Sequence, residues 1–256
     1  MTGPSYENVF VFGDVHGDSI KLELLITKAR AHVPEVQLIS VGDLIDRGAT
    51  SKHVIDTCVR EGVVGVLGNH ELWFHQVCNL GVFSGYALQK IMGGSFTLRS
   101  YGVDPTEADE DIGELLSEAI PASHKEFILG LPVHMKFTVG SQVYRVIHGG
   151  LKTAEGLEEM VNQGFPEDEM LQAVAGTRPD VLLWTGPSGL KGDGPTNLYQ
   201  FRDGSVQILG HVPLNAPRDG GSFLALDTGC GTCPPYKLSG VMLSTNPDLN
   251  RKFLSI

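Results

Sequence analysis

Five short apolar runs in this chain each break into glycine beside a side chain carrying an oxygen or imidazole donor. The segments are Gly13-Asp14-Val15-His16-Gly17, Gly42-Asp43-Leu44-Ile45-Asp46-Arg47-Gly48, Gly68-Asn69-His70-Glu71, His148-Gly149-Gly150 and Gly210-His211. The runs that lead into them, residues 9–13, 36–41, 63–67, 143–147 and 206–209, are rich in Val, Ile, Leu and Phe. That composition predicts buried strands. Between the first three runs, residues 20–31 and 51–61 carry apolar side chains at helical spacing: Leu22, Leu25, Ile26 and Ala29, then Val54, Ile55, Cys58 and Val59. A β-α-β-α-β rhythm predicts an α/β fold with a mostly parallel sheet covered by helices. Ligands bind such sheets at the carboxyl ends of the strands, which is where Asp14, His16, Asp43, Asp46, Asn69 and His70 all fall.

The rest of the chain fits around this edge. Residues 75–132 are mixed and more helical, with an acidic run over 107–114, and read as a cap region whose acidic run is a solvated face. From Val133 the strand pattern returns, with further runs at 223–226 and 238–243. Nothing repeats internally, and 256 residues suffice for one core, so a single domain over 1–256 with an insertion at about 75–132 is expected. The formal net charge of −11 argues against a nucleic-acid or anionic-membrane partner, which needs a basic face. No basic-then-apolar leader and no membrane-length apolar run is visible, so a cytoplasmic protein is expected. Cys230 and Cys233 form a CxxC pair without a second pair to complete a zinc cage, and buried turn residues are the expected role.

Taken singly, an Asp-x-His is more often a surface turn, and a His after a strand more often a satisfied core residue. Five such segments in one order, all at strand ends, are hard to explain that way. Carboxylate, amide and imidazole together suit borderline divalent cations. The set resembles the phosphoprotein phosphatase branch of the calcineurin-like metallophosphoesterases, whose pattern is GDxHG, GDxxDRG, GNHE and two later His segments. The likeness runs from about residue 9 to 241. Leu182-Leu183-Trp184, Gly210-His211-Val212-Pro213 and Leu226-Asp227-Thr228-Gly229-Cys230 resemble bacterial members, including symmetric diadenosine tetraphosphatases.

The resemblance implies a four-layer α/β/β/α sandwich with a helical cap-like insertion, binding two divalent metal ions, with manganese first and iron, zinc, cobalt or nickel as alternatives. By position, Asp14 and His16 hold one ion, Asp43 bridges, and Asn69, His148 and His211 complete the other. His70 becomes the general acid, Asp46 fixes its ring, and Arg47 grips phosphate oxygens with its planar fork. The implied reaction is phosphomonoester hydrolysis by a metal-activated water, with phosphoserine and phosphothreonine in proteins, or a small phosphoester, as substrate. Symmetric cleavage of dinucleoside tetraphosphates is the alternative, and the core motifs do not separate the two. An inactive binding module is disfavoured because every implied ligand is present. Two departures bear on substrate: Leu67 stands where the family has Arg before GNHE, and the first cation after Trp184 is Lys191. Glu71 is expected to orient loops, Asp18 to cap a turn, Trp73 and Phe74 to be core or groove wall, and Gly93–Thr97 to be a structural turn. His32, His53, His75, His124 and His134 match no motif position and read as ordinary packing.

Overall fold

A computed structural model describes residues 3–106, 112–152, 166–184 and 197–256. Each predicted strand of the first half forms. Strand β1 (Ser5–Tyr6) precedes β2 (Asn8–Phe12), helix α1 (Ser19–Arg30), β3 (Gln37–Ser40), α2 (Ser51–Arg60) and β4 (Val64–Gly65). Asp18 begins α1 by accepting the Lys21 backbone N–H at 3.0 Å, a capping role. The third strand is shorter than its apolar run. Val66 still reaches the Ser40 carbonyl, but the Leu67 N–H turns away to the Pro132 carbonyl.

A helical stretch follows: α3 (Glu71–Leu80), α4 (Gly94–Ser100), α5 (Ile112–Ala119) and α6 (Ala122–Leu129). Then come β5 (His134–Val139), β6 (Gln142–Ile147), α7 (Glu167–Thr177), α8 (Pro179–Leu183), β7 (Val206–Leu209), β8 (Arg218–Asp219), β9 (Phe223–Ala225), β10 (Ser239–Ser244) and β11 (Lys252–Ser255).

The strands make two sheets. One has the order β11-β10-β2-β3-β4, with β2, β3 and β4 mutually parallel and β10 antiparallel to both its neighbours. The other has the order β1-β5-β6-β7-β9-β8 and is mixed. The parallel expectation holds throughout the βαβ half, and the second sheet adds parallel pairs at β1–β5, β6–β7 and β7–β9. Antiparallel pairs come from β5–β6, β8–β9 and β10–β11, which are neighbours in the chain, and from β10 against β2.

Alternation along each strand decides which layer a side chain joins. On β2, Val9 and Val11 face the second sheet and pack with Phe137, Tyr144, Val146, Ile208 and Leu224. Phe10 and Phe12 face the other way, into a core shared with Leu22, Leu25, Val54, Ile55, Trp73 and Phe74. Beyond the second sheet, Met170, Leu171 and Leu182 close a third cluster over Ile147. The layers are thus helix, sheet, sheet, helix. Residues of the 75–132 stretch, among them Leu98, Ile112, Leu116 and Ile128, belong to the same buried cluster as α1 and α2. No helix among the described residues is long and apolar enough to cross a membrane.

Phe12 is fully buried between β2 and the helical layer, so Phe12→Ala should cost about 3–5 kcal/mol of folding stability. Urea denaturation measures it, and a loss below about 1 kcal/mol would mean that this face is not packed as described.

Candidate metal centre

Each of the five motif segments emerges from a strand end, and the two sheets bring all of them to one cleft. Asp14 and His16 leave β2, Asp43, Asp46 and Arg47 leave β3, and Asn69 and His70 follow β4. His148 follows β6 of the second sheet directly, and His211 comes two residues after β7. His16, Asp43, Asp46, Arg47 and His211 all sit at positive φ, between 47° and 71°. Non-glycine residues held there cost about 1–3 kcal/mol each and gather at sites where the surroundings over-determine them.

The donor atoms fall into two groups that share Asp43. His16, Asp43 and His70 place one nitrogen or oxygen each within 4.8 Å of one another, and Asp43, His148 and His211 do the same. Asn69 joins the second group, with its Oδ1 3.1 Å from His148 Nε2 and 2.8 Å from His211 Nδ1. Asp14 lies against this group, its Oδ2 accepting the His211 backbone N–H at 3.0 Å. The second donor of two histidines is committed to the backbone: His16 Nδ1 lies 3.1 Å from the Ile45 carbonyl and His148 Nδ1 2.9 Å from that of Val41. A carbonyl can only accept, so both rings carry hydrogen on Nδ1 and aim Nε2 into the cleft. Metal-binding histidines are oriented in this way.

His70 is held differently. Its Nδ1 is 2.8 Å from Asp46 Oδ2, and its Nε2 lies 4.0 Å from Asp43 Oδ2. Arg47 extends across the front, its Nη1 donating to His16 Nε2 at 2.6 Å and to Thr232 Oγ1 at 2.7 Å. Glu71 braces the floor. Its Oε2 accepts the N–H groups of Asp43 and Gly68, and its Oε1 those of Leu44 and Ile45. The loop-orienting part expected of it is what the geometry shows.

The electrostatics of this cleft are those of too many carboxylates. Burial and the nearby Asp227 and Asp43 push the Asp14 carboxyl well above its ordinary value. Burial and Asp43 push Glu71 up to about 7, and burial together with Asp43 raises Asp227 to about 6. At Asp43 burial acts in the same direction, but His148, His70 and His16 outweigh it and hold the carboxyl well below its usual range. Burial opposes charge on His148, yet Asp43, Asp14 and Glu71 pull it up to about 10. Burial and His148 lower His211 to about 4.

Two observations test whether cations fit. Asp14 Oδ1 is buried and has no hydrogen-bond partner among the described residues, a costly state for a carboxylate oxygen unless something electropositive faces it. Glycine keeps the approach open at two points: a Cβ at Gly210 would stand 2.0 Å from Asp14 Oδ1, and one at Gly68 2.1 Å from Asp43 Oδ1. Buried oxygen and imidazole donors, a surplus of carboxylate and an orphaned oxygen fit divalent cations.

All nine sequence-predicted site residues thus meet in this cleft. The sequence reading did not single out Asp227, which is buried against the cluster. It follows the run 223–226 directly and stands two residues before Gly229, a signature close to that of the five segments. It also missed what surrounds Asp46: Trp73 Nε1 donates to Oδ2 at 3.0 Å and Thr97 Oγ1 to Oδ1 at 2.7 Å. No local pattern announces those contacts. Trp73 and Phe74 are core, as expected. Cys230 is buried, with its thiol 3.2 Å from the Val15 carbonyl, while Cys233 is half-buried. Leu67 points into the helical core, so no cation reaches the cleft from that position. Lys191 lies outside the described residues, as do residues 107–111 of the acidic run.

The sequence model of the family described as calcineurin-like phosphoesterase matches residues 8–215. Over 67 residues the chain is 36% identical to Serine/threonine-protein phosphatase 1 of Salmonella typhimurium, an alignment covering 26% of this chain and 31% of that protein. The match therefore spans about a third of that relative's length. Among solved structures, a protein serine/threonine phosphatase from Saccharomyces cerevisiae is similar with a TM-score of 0.54 and 15% identity, covering 100% of this chain and 83% of that one. A structure assigned as a candidate diadenosine tetraphosphatase is similar with a TM-score of 0.53 and 17% identity, covering 100% and 98% respectively. At such identities the likeness is one of fold.

Glu71→Gln would turn an amide NH2 toward at least one pair of these N–H donors. The expected cost is about 2–4 kcal/mol, the scale of leaving buried donors unpaired, read as a lower denaturation midpoint. An unchanged midpoint would show that the carboxylate does not brace the loops.

Proposed function

The chain belongs to the calcineurin-like phosphoesterases, hydrolases of phosphoester bonds, and from that premise we propose that it dephosphorylates phosphoserine and phosphothreonine in proteins at a dinuclear centre. The observation that carries this reading is the pair of donor groups sharing Asp43, with the orphaned Asp14 oxygen beside them. By motif position Asp14, His16 and Asp43 would hold one cation and Asp43, Asn69, His148 and His211 the other, with Asp14 bordering the second group through the His211 N–H. The donor set has imidazole and carboxylate but no thiolate, which suits Mn²⁺ (our assignment) as well as Fe²⁺ or Zn²⁺. When bound, two such cations polarise the phosphoryl oxygens and lower the pKa of the attacking water.

The chain's own groups do the rest. Arg47 lies at the mouth and is the cation placed to take two phosphate oxygens in a bidentate grip. His70 presents Nε2 to the cleft because Asp46 occupies Nδ1, and from Nε2 it delivers the proton that the leaving alkoxide needs. Both general acid and ligand would use that same atom. The pairing of Nδ1 with a buried carboxylate rather than a backbone carbonyl sets His70 apart from His16 and His148, and supports the acid role. Support for a phosphoprotein substrate comes from GNHE with Glu71 and from the curated relative's name.

One observation favours a second reading, symmetric cleavage of dinucleoside tetraphosphates. Trp184 stands edge-on to His211 with ring centroids 6.0 Å apart, and Tyr86 stands 6.3 Å from Trp184. Both are partly exposed, and an aromatic face beside the centre can stack a nucleobase. Incubation with a phosphoserine peptide and with diadenosine tetraphosphate separates the readings: a higher kcat/KM on the dinucleotide, with two identical nucleotide products, would replace the first reading by the second.

His70→Asn should leave the metals bound and slow phosphopeptide turnover by about 10²–10⁴-fold, with a smaller loss on para-nitrophenyl phosphate, whose leaving group barely needs a proton. Equal losses on the two substrates would count against the acid role. Asp43→Asn should instead lower metal stoichiometry itself, measured by elemental mass spectrometry on the dialysed protein. Full occupancy of two ions would contradict a bridging carboxylate.

A further inference from the structure

Asp46 is fully buried, and the way it is held suggests that part of the helical stretch serves the reaction. Its Oδ2 lies 2.8 Å from His70 Nδ1 and accepts Trp73 Nε1–H at 3.0 Å, while Oδ1 accepts Thr97 Oγ1–H at 2.7 Å. Its backbone N–H is shared between Thr97 Oγ1 at 2.9 Å and Ser51 Oγ at 3.1 Å. The two hydroxyls lie 2.9 Å apart.

The hydrogens in this circuit are assigned by chemistry alone. A carboxylate can only accept, so the single Thr97 hydroxyl hydrogen belongs to Asp46 Oδ1. The Thr97 oxygen then accepts from the Asp46 N–H and from Ser51, whose own hydrogen is thereby committed. Each hydrogen has one place to go, so the carboxylate plane is fixed against rotation. The neighbouring loop is tied as well: the Arg47 N–H donates to the Gly93 carbonyl at 3.2 Å, and Arg47 Nε reaches the Ile91 carbonyl at 3.3 Å. Gly93 and Thr97 belong to the segment that the sequence presents only as a structural turn.

We propose that Thr97 and Trp73 are positioning residues for proton transfer, clamping opposite oxygens of Asp46 so that the His70 ring keeps Nε2 aimed at the leaving group. The inference rests on the reading of His70 as general acid. Thr97 comes from α4, 51 residues beyond Asp46, and Trp73 from the first turn of α3. The helical layer therefore supplies both halves of the clamp. Trp73 is itself wedged edge-on against Phe74 and Phe83, with ring centroids 5.4 and 5.5 Å away, so its N–H direction is not free to wander. Losing either donor leaves the Asp46 side chain beside His70 but able to swing. The defect should therefore appear in proportion to how much proton the leaving group requires.

The test compares wild type, His70→Asn, Thr97→Val, Thr97→Ser and Trp73→Phe on para-nitrophenyl phosphate, phenyl phosphate and a phosphoserine peptide, with metal content and thermal midpoint recorded for each. Thr97→Val should slow the peptide by about 10–100-fold, the scale of one hydrogen bond to a charged group, yet stay within about threefold of wild type on para-nitrophenyl phosphate. Trp73→Phe should show the same dependence on leaving group. Thr97→Ser, which keeps the hydroxyl, should restore the peptide rate. Equal losses across the three substrates, no loss at all, or no rescue by serine would overturn the positioning role while a leaving-group-dependent His70→Asn leaves the acid reading standing. If His70→Asn itself loses rate equally on all three, the acid reading falls and this inference with it.

Discussion

Burying carboxylates side by side is the constraint around which this molecule is organised. Asp14, Asp43, Asp46, Glu71 and Asp227 are all nearly inaccessible to water, and the cost of that burial is met differently at each, at Asp227 by the Gly229 N–H. Glu71 is answered by backbone N–H groups from two loops, so its charge welds the ends of β3 and β4 together. Asp46 is answered by an indole, a hydroxyl and an imidazole. Asp43 is answered by three histidines. Asp14 is not fully answered, because one of its oxygens has no partner among the described residues. That graded series, from saturated to orphaned, runs from the floor of the cleft toward the place where cations fit.

The two sheets matter because neither could assemble this by itself. The first sheet delivers the carboxylates and the amide at the ends of its three parallel strands, while the second brings His148 and His211 across the inter-sheet core. Apolar packing between Val9, Val11, Ile39 and Val41 on one side and Val146, Ile208 and Leu224 on the other sets the distance between the two contributions. Strain is concentrated at the same edge, with five non-glycine residues at positive φ, and the hydrogen bonds of Glu71 and Asp46 are what hold that strain in place. The resulting site is rigid on its floor and open at its mouth, where Arg47 and the Tyr86–Trp184 pair stand.

The helical stretch between the two halves of the sandwich is more than a cover. It shares the core of α1 and α2, and it reaches the cleft through Ile91, Gly93 and Thr97. These contacts explain why a segment without any donor-bearing motif still bears on the chemistry. A hydroxyl buried against a carboxylate is inconspicuous in a sequence, because threonine at a helical position is ordinary and its partner lies half a hundred residues away.

Read without coordinates, the chain already declared its α/β class, most of its strands, its layer order by resemblance and all nine of the residues that meet in the cleft. The physical reason is that strand periodicity, glycine at close approaches and donor chemistry are local: Gly68 and Gly210 are needed next to the very residues they make room for. Folding in three dimensions decided what depends on distant partners. It ended β4 early, because Pro132 captured the Leu67 N–H. It also set antiparallel β10 against the parallel β2, turned Leu67 into the helical core, and added Asp227 to the cluster. Finally, it joined Trp73 and Thr97 to Asp46, since hydrogen bonds between side chains far apart in sequence leave no periodic trace along the chain.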